Sequence, residues 1–238
     1  MSPRFEHEQP LHDIEYFVAL DMDGTLLRSY ELTPLIAKYF IDDEVQRERA
    51  IAVIDRQKGK DFDSFTYLAA ESGQDLNELD SAKLVDTLVE VYGEGYLREL
   101  LLMPGAEQIC ETLRANDISH GILTKGGVTF QNFKLDLLRI LIREPDLRAM
   151  ITTSNAKSSD IEATWWDDAL GRFVIPRELA SQQLIAKNIV MVDDKRAHLE
   201  SAHPQLHGYH IETLTVADLT ADIAEKGIDS LTVGTDKD

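Results

Sequence analysis

Tyr16-Phe17-Val18-Ala19-Leu20-Asp21-Met22-Asp23-Gly24-Thr25-Leu26-Leu27 is an unbroken apolar run that stops at two carboxylates, a glycine and a threonine. A run without alternation is the pattern of a strand buried on both faces, as in a parallel sheet covered by helices. Its C-terminal end is then where chemistry collects, because open α/β sheets bind ligands beyond the carboxyl ends of their strands. Asp21 and Asp23 are two residues apart, so an extended chain points both side chains into one small volume. Two like charges there call for a hard divalent cation, and Mg²⁺ suits a site with few carboxylate ligands and waters left for a phosphate. Gly24 permits the turn and a close approach of backbone. Thr25 offers a hydroxyl and an N–H to a phosphate oxygen. The competing reading is a solvated Asp-Gly surface turn, which would not need a buried strand feeding it.

A second run, Ile189-Val190-Met191-Val192, ends the same way, in Asp193-Asp194. An acidic helix start would account for one such pair but not for two buried strands that both end in paired acids. Ile118 to Thr124 reads as a further strand, left through Gly126-Gly127, and Leu147 to Thr153 as another. In a parallel sheet these ends bring Asp21, Thr124, the residues after Thr153 and Asp193 to one rim.

Between Asp21 and Thr124 lie roughly a hundred residues, against about thirty for a βαβ unit. The spacing of apolar residues predicts helices from Thr33-Pro34 to about Lys58 with Gly59 as stop, from Phe62 to Glu71, and from Ser81 to Tyr92. They form an inserted all-helical unit over 30–100, with hinges near Arg28 to Glu31 and Leu100 to Pro104. The rest, 13–29 and 101–230, is an α/β core with a Rossmann-like parallel sheet; 1–12 and 231–238 read as tails. Met103-Pro104-Gly105 opens a helix whose apolar face is Ala106, Ile109, Cys110 and Leu113. Further helices are expected over Phe130 to Ile142, Asp160 to Leu170 with Trp165 and Trp166, from Pro176, and over Ala197 to Ala202. Tyr209 to Leu214 reads as a last edge strand.

Composition narrows the function. Formal net charge is −19, from 24 Lys+Arg against 43 Asp+Glu, which opposes binding to nucleic acid or an anionic membrane. It also opposes phosphate substrates unless a metal and a few cations reverse the local field. The single cysteine, Cys110, excludes an intrachain disulfide and reads as core packing. The first dozen residues lack the apolar core of a signal peptide, and no run reaches transmembrane length. A cytoplasmic protein is expected, a monomer or small homo-oligomer.

Asp21-Met22-Asp23-Gly24-Thr25-Leu26-Leu27 resembles the first motif of the haloacid dehalogenase-like hydrolase superfamily, in its phosphate-handling branch. The resemblance implies that Asp21 is a nucleophile forming an aspartyl-phosphate and Asp23 the general acid and base. Thr124, in Gly121-Ile122-Leu123-Thr124-Lys125-Gly126, resembles the second motif, whose hydroxyl binds the phosphoryl group; Lys125 stands where the family often has Asn and is counted with the substrate-binding residues. Lys157 best fits the third-motif lysine, with Lys125, Lys187 and Lys195 as rivals. Met191-Val192-Asp193-Asp194 resembles the fourth, whose acids hold Mg²⁺. The implied metal set is Asp21, Asp23, Asp193 and Asp194, and the implied substrate-binding set Gly24, Thr25, Thr124, Lys125 and Lys157. Many members carry a helical cap between the first two motifs. The expected function is Mg²⁺-dependent hydrolysis of a small phosphorylated metabolite. The alternatives are a phosphomutase, or a non-catalytic member acting as a binding protein. His198, His203, His207 and His210 match no zinc pattern and read as surface or packing residues.

Overall fold

The computed structural model describes residues 11–57, 62–76, 79–153, 156–211 and 216–228. The expected stop at Gly59, the end of the last strand (212–214) and the C-terminal tail lie outside them.

The first apolar run is β1 (His12–Leu20), and Phe17, Val18, Ala19 and Leu20 are each at most 1% exposed. Burial on both faces is enforced by its neighbours. β1 pairs in parallel with β2 (Ser119–Lys125) on one side and with β6 (Leu184–Asp193) on the other. β3 (Ala149–Thr152) extends the sheet beyond β2, and β7 (Leu206–His210) pairs in parallel with the later part of β6. The chain therefore winds one way from β1 and then returns to its other side, which makes β1/β6 the point where strand order reverses. Leu20 is in register with Val192, and the Asp21 N–H donates to the Val192 carbonyl at 2.8 Å. That register puts Asp21 beside Asp193. The fold is an α/β Rossmann-like one.

Two short strands complete the sheet, the first of them where a helix was expected. β4 (Trp166–Asp167) and β5 (Arg172–Val174) form an antiparallel hairpin on the early part of β6. The helix expected from Asp160 to Leu170 stops at Thr164, because Trp166 leaves it to pack on Phe173 and His203, with centroids 5.0 and 4.3 Å apart. Both tryptophans are packed, Trp165 in the core. Pro176 opens a turn, and only Arg196–His198 forms a short 3₁₀ turn where a helix over Ala197 to Ala202 was expected.

Between β1 and the core helix α6 (Ala106–Ala115) run five helices, with no strand element among the described residues: α1 (Ser29–Phe40), α2 (Glu44–Asp55), α3 (Ser64–Ser72), α4 (Ser81–Tyr92) and α5 (Glu94–Leu101). The single helix expected up to Lys58 breaks at Ile41, where the backbone is extended and Asp43 caps α2 by accepting from Gln46 N–H at 2.7 Å. α1 begins a turn before the expected Thr33-Pro34 start and encloses Pro34. α5 escaped prediction because Gly93 and Gly95 read as stops, yet Leu97 and Leu101, four apart, bury one face. The segment enters and leaves at one place: Arg28 N–H donates to Leu101 O at 2.7 Å, and Met103 N–H to Leu26 O at 3.0 Å. Past β2, α7 (Val128–Leu141) carries Phe130 and Phe133, which stack on Phe65 of α3 at 5.0 and 5.4 Å. α8 (Lys157–Thr164) and α9 (Val216–Lys226) complete the layers.

Candidate active site

At the carboxyl ends of β1 and β6, Asp21 and Asp193 are 6% and 1% exposed. Between them lies the ammonium of Lys157, the first residue of α8, which donates to Asp21 Oδ1 at 2.5 Å and to Asp193 Oδ2 at 2.8 Å. Lys157 is itself 1% exposed. Asp194 joins the pair: ligand oxygens of Asp21, Asp193 and Asp194 lie within 4.8 Å of one another. Three carboxylates, two of them buried and the third partly so, thus gather around one ammonium.

Their protonation follows from that imbalance. Burial pushes the Asp21 carboxyl up to about 7, and the neighbouring Asp193 and Asp23 add to the rise against the pull of Lys157. Burial and then Asp193 raise Asp194 to about 6. For Asp193, burial acts upward but is outweighed by Lys157 and by the Lys195 N–H, which donates to Oδ1 at 2.8 Å, so its carboxyl sits below the usual range. Asp194 Oδ1 is buried and accepts no hydrogen bond. An unpartnered oxygen in a triad short of positive charge is what a divalent cation with oxygen ligands would satisfy, so the residues fit a hard metal ion. Gly24 is shaped to the same end. Its φ is +85°, and a Cβ there would stand 2.5 Å from Asp194 Oδ2, so only glycine lets the β1 turn close over that carboxylate.

Asp23 behaves differently. Its carboxylate is absent from the cluster of three; instead both oxygens lie 2.6 Å from Lys134 Nζ. Gln131 Nε2 donates to Oδ2 at 3.2 Å, and the Ser29 hydroxyl donates to Oδ1. Burial would raise this carboxyl, but Lys134 and these hydrogen bonds outweigh it and hold it below the usual range. Gln131 also ties in the second motif, accepting from Thr124 Oγ1 at 3.2 Å and donating to Lys125 O at 2.7 Å. Thr124 is 1% exposed, and Thr25 is fully buried with no hydrogen-bond partner for its hydroxyl.

Asp23, Lys125 and Lys134 line a cavity of about 550 Å³ whose other walls come from α1, the residues before α3, and Phe130. Lys195 lines it too; Lys187, the remaining rival for the third-motif role, lies instead on the exposed flank, paired with Glu15 at 2.7 Å.

Sequence reasoning missed Lys134, Gln131, Ser29 and His198. Gln131 and Lys134 are three apart on the buried stripe of α7, and polar residues on an apolar stripe were the available signal. His198 is no mere packing residue: its Nδ1 lies 3.0 Å from both oxygens of Asp193. Burial lowers its pKa despite Asp193.

This arrangement can be set against known proteins. The family model of the haloacid dehalogenase-like hydrolases matches residues 17–204, a span running from β1 through all the site residues described. The chain belongs to this hydrolase family. A protein provisionally named a haloacid dehalogenase-like hydrolase, from Burkholderia xenovorans LB400, has a similar fold at 17% identity and a TM-score of 0.54, covering 89% of this chain and 97% of its own. A protein provisionally named a beta-phosphoglucomutase, from Thermotoga maritima, is 19% identical with a TM-score of 0.42, covering 90% of this chain and 100% of its own. A hydrolase from Pseudomonas syringae is 17% identical with a TM-score of 0.42, covering 89% and 99%. The last two are too distant to bear on this chain. No curated protein matches the sequence.

Proposed function

We propose that this hydrolase is a Mg²⁺-dependent phosphatase acting on a small phosphorylated metabolite through an aspartyl-phosphate on Asp21. The observation that carries the reading is Lys157 seated between Asp21 and Asp193, with an unsatisfied Asp194 oxygen beside them. Asp21, Asp193 and Asp194 would hold the metal, which supplies neutralisation of the phosphate's charge when bound.

An oxygen of Asp21 attacks phosphorus, and the bond from phosphorus to the substrate's ester oxygen breaks. Lys157 offers a donor to the non-bridging oxygens, the Thr124 hydroxyl would offer another on turning from Gln131 Oε1, and Thr25 has a buried hydroxyl in need of a partner. Asp23 gives its proton to the departing oxygen. It then takes one from the water that attacks the aspartyl-phosphate, freeing Asp21 and releasing phosphate. The Lys134 contact favours the ionised form of Asp23, the form needed for the second step. In the first step Asp23 must hold a proton, so that contact has to loosen when substrate enters.

The helices over 30–100 serve as a cap. Their entry and exit lie side by side, bridged at Leu27 and Leu102, a hinge-like attachment, and they supply Ser29, Tyr30, Ile54 and Phe62 to the cavity wall facing Asp23. Such lids exclude water and set specificity.

The test is phosphate release from a panel of phosphorylated metabolites with and without Mg²⁺. Release that requires Mg²⁺ and vanishes in Asp21→Asn is the expected result; release unaffected by that substitution would sink the mechanism.

A further inference from the structure

At the other end of β2 from Thr124, about 13 Å away by strand rise, is a second cluster of metal-ligating side chains. Cys110 on the inner face of α6, His120 in β2 and Glu144 just past α7 have ligand atoms within 4.8 Å of one another. All three are withdrawn from solvent: Cys110 is fully buried, Glu144 is 8% exposed, and the His120 side chain is 6% exposed. Glu144 reaches this position through a tight end to α7, with its N–H bonded back to Arg139 O at 2.9 Å and Arg143 in the left-handed region at φ +57°.

The hydrogen bonds leave a chemical deficit. His120 Nδ1 lies 3.0 Å from the Ile118 carbonyl. A carbonyl only accepts, so Nδ1 carries the proton, and the lone pair of a neutral ring falls on Nε2. Yet Nε2 faces Glu144 Oε1, an acceptor, at 3.0 Å. A proton shared between ring and carboxyl, or a cation in its place, has to stand between them. The other Glu144 oxygen, Oε2, is buried and accepts no hydrogen bond, with Arg114 Nε 3.8 Å away. A histidine whose Nδ1–H is held by a backbone carbonyl while Nε2 points at other donor atoms is the usual arrangement of a metal-ligating imidazole.

We propose that Cys110 Sγ, His120 Nε2 and a Glu144 carboxylate oxygen form a binding site for Zn²⁺, separate from the hydrolytic centre, that ties α6, β2 and the end of α7 together. Thiolate, imidazole and carboxylate suit this borderline-soft ion, whereas Mg²⁺ takes oxygen ligands. With bonds of about 2.0–2.3 Å, tetrahedral ligands stand roughly 3.3–3.7 Å apart, so the present spacing needs only small side-chain shifts. The charges balance, one thiolate and one carboxylate against Zn²⁺. Binding displaces two protons to solvent, the one on the thiol and the one between His120 Nε2 and Glu144 Oε1; burial, with Glu144 nearby, otherwise pushes the Cys110 thiol up and keeps it protonated. A surface cavity of about 590 Å³ lined by Arg114, Ile118, His120 and Glu144 provides entry and room for a water as fourth ligand.

The full-length protein, saturated with Mg²⁺ to occupy the acidic centre, should be titrated with Co²⁺ as a spectroscopic substitute for Zn²⁺. Expected is a thiolate-to-cobalt charge-transfer absorption that saturates at about one ion per chain, is displaced by Zn²⁺, persists in Asp193→Asn and disappears in Cys110→Ser. The wild-type titration decides even if a variant folds poorly, and His120→Gln, checked by circular dichroism, gives an independent second loss. No thiolate band in the folded wild type, or a band that survives Cys110→Ser, would overturn the proposal.

Discussion

Replacing Lys157 with methionine tests the electrostatics of the site most directly. Its ammonium is the only side-chain cation that the described residues place in contact with both Asp21 and Asp193, and all three side chains are at most 7% exposed. Methionine keeps much of the packing volume and removes the charge, leaving two buried carboxylates without it. Breaking a buried pair in this way costs about 3–5 kcal/mol. In a chain of this size about 1 kcal/mol moves the melting temperature by roughly 2–4 °C, so a fall of about 6–20 °C is expected in metal-free buffer at pH 8. At pH 5 the fall should shrink, because Asp21 and Asp194 then take up protons and the repulsion eases. Mg²⁺ should restore part of the loss, about 2.7 kcal/mol at a hundred times its dissociation constant. Lys187→Met is the control: its pair with Glu15 has both side chains about half exposed, and such surface pairs are worth ~0–1 kcal/mol. The assay is differential scanning fluorimetry of both variants at the two pH values, with and without Mg²⁺. A Lys157→Met melting temperature that matches Lys187→Met at pH 8 without metal would refute the account of the site as a charge-strained triad.

Three further outcomes follow from the same geometry. The Asp21 and Asp194 carboxyls sit above their ordinary value in the folded chain, at about 7 and about 6. Their contribution therefore favours the fold fully below that ordinary value and is lost as pH rises through 6 to 7. Mg²⁺ binds the ionised forms, so its stabilising effect should be small at pH 5 and large at pH 8; an equal melting shift at both would contradict the raised values. Gly24→Ala should weaken Mg²⁺ binding by isothermal titration, since its Cβ would displace Asp194 Oδ2 from 2.5 Å in a φ +85° turn; unchanged affinity would separate Asp194 from the metal. Lys134→Met should lower kcat within the ~10²–10⁴-fold that acid–base assistance supplies and shift the pH profile of turnover upward as Asp23 loses its neighbour, whereas a change in stability alone with an unmoved profile would make Lys134 a purely structural residue.

What the sequence determined by itself was the part of the protein that local physics writes: two apolar runs too continuous for a half-exposed strand, each ending in acids, and a helical excursion too long for a simple crossover. Those features located the α/β core, the rim carrying Asp21, Thr124 and Asp193, and the helical segment between. Tertiary structure decided everything that depends on which distant residues meet. Lys134 is 111 positions from Asp23, and Lys157 is 136 from Asp21; an isolated lysine has no periodicity to betray a partner. Whether Asp23 shares a metal with Asp21 or pairs directly with a lysine depended on how α7 places Lys134 and Gln131 against the end of β1. The β4–β5 hairpin formed against helical expectation because Trp166 gained Phe173 and His203 as packing partners. Cys110, His120 and Glu144 look in sequence like a core residue, a strand histidine and a surface acid, and acquire a joint chemistry only because the sheet brings the start of β2 under α6 and the end of α7.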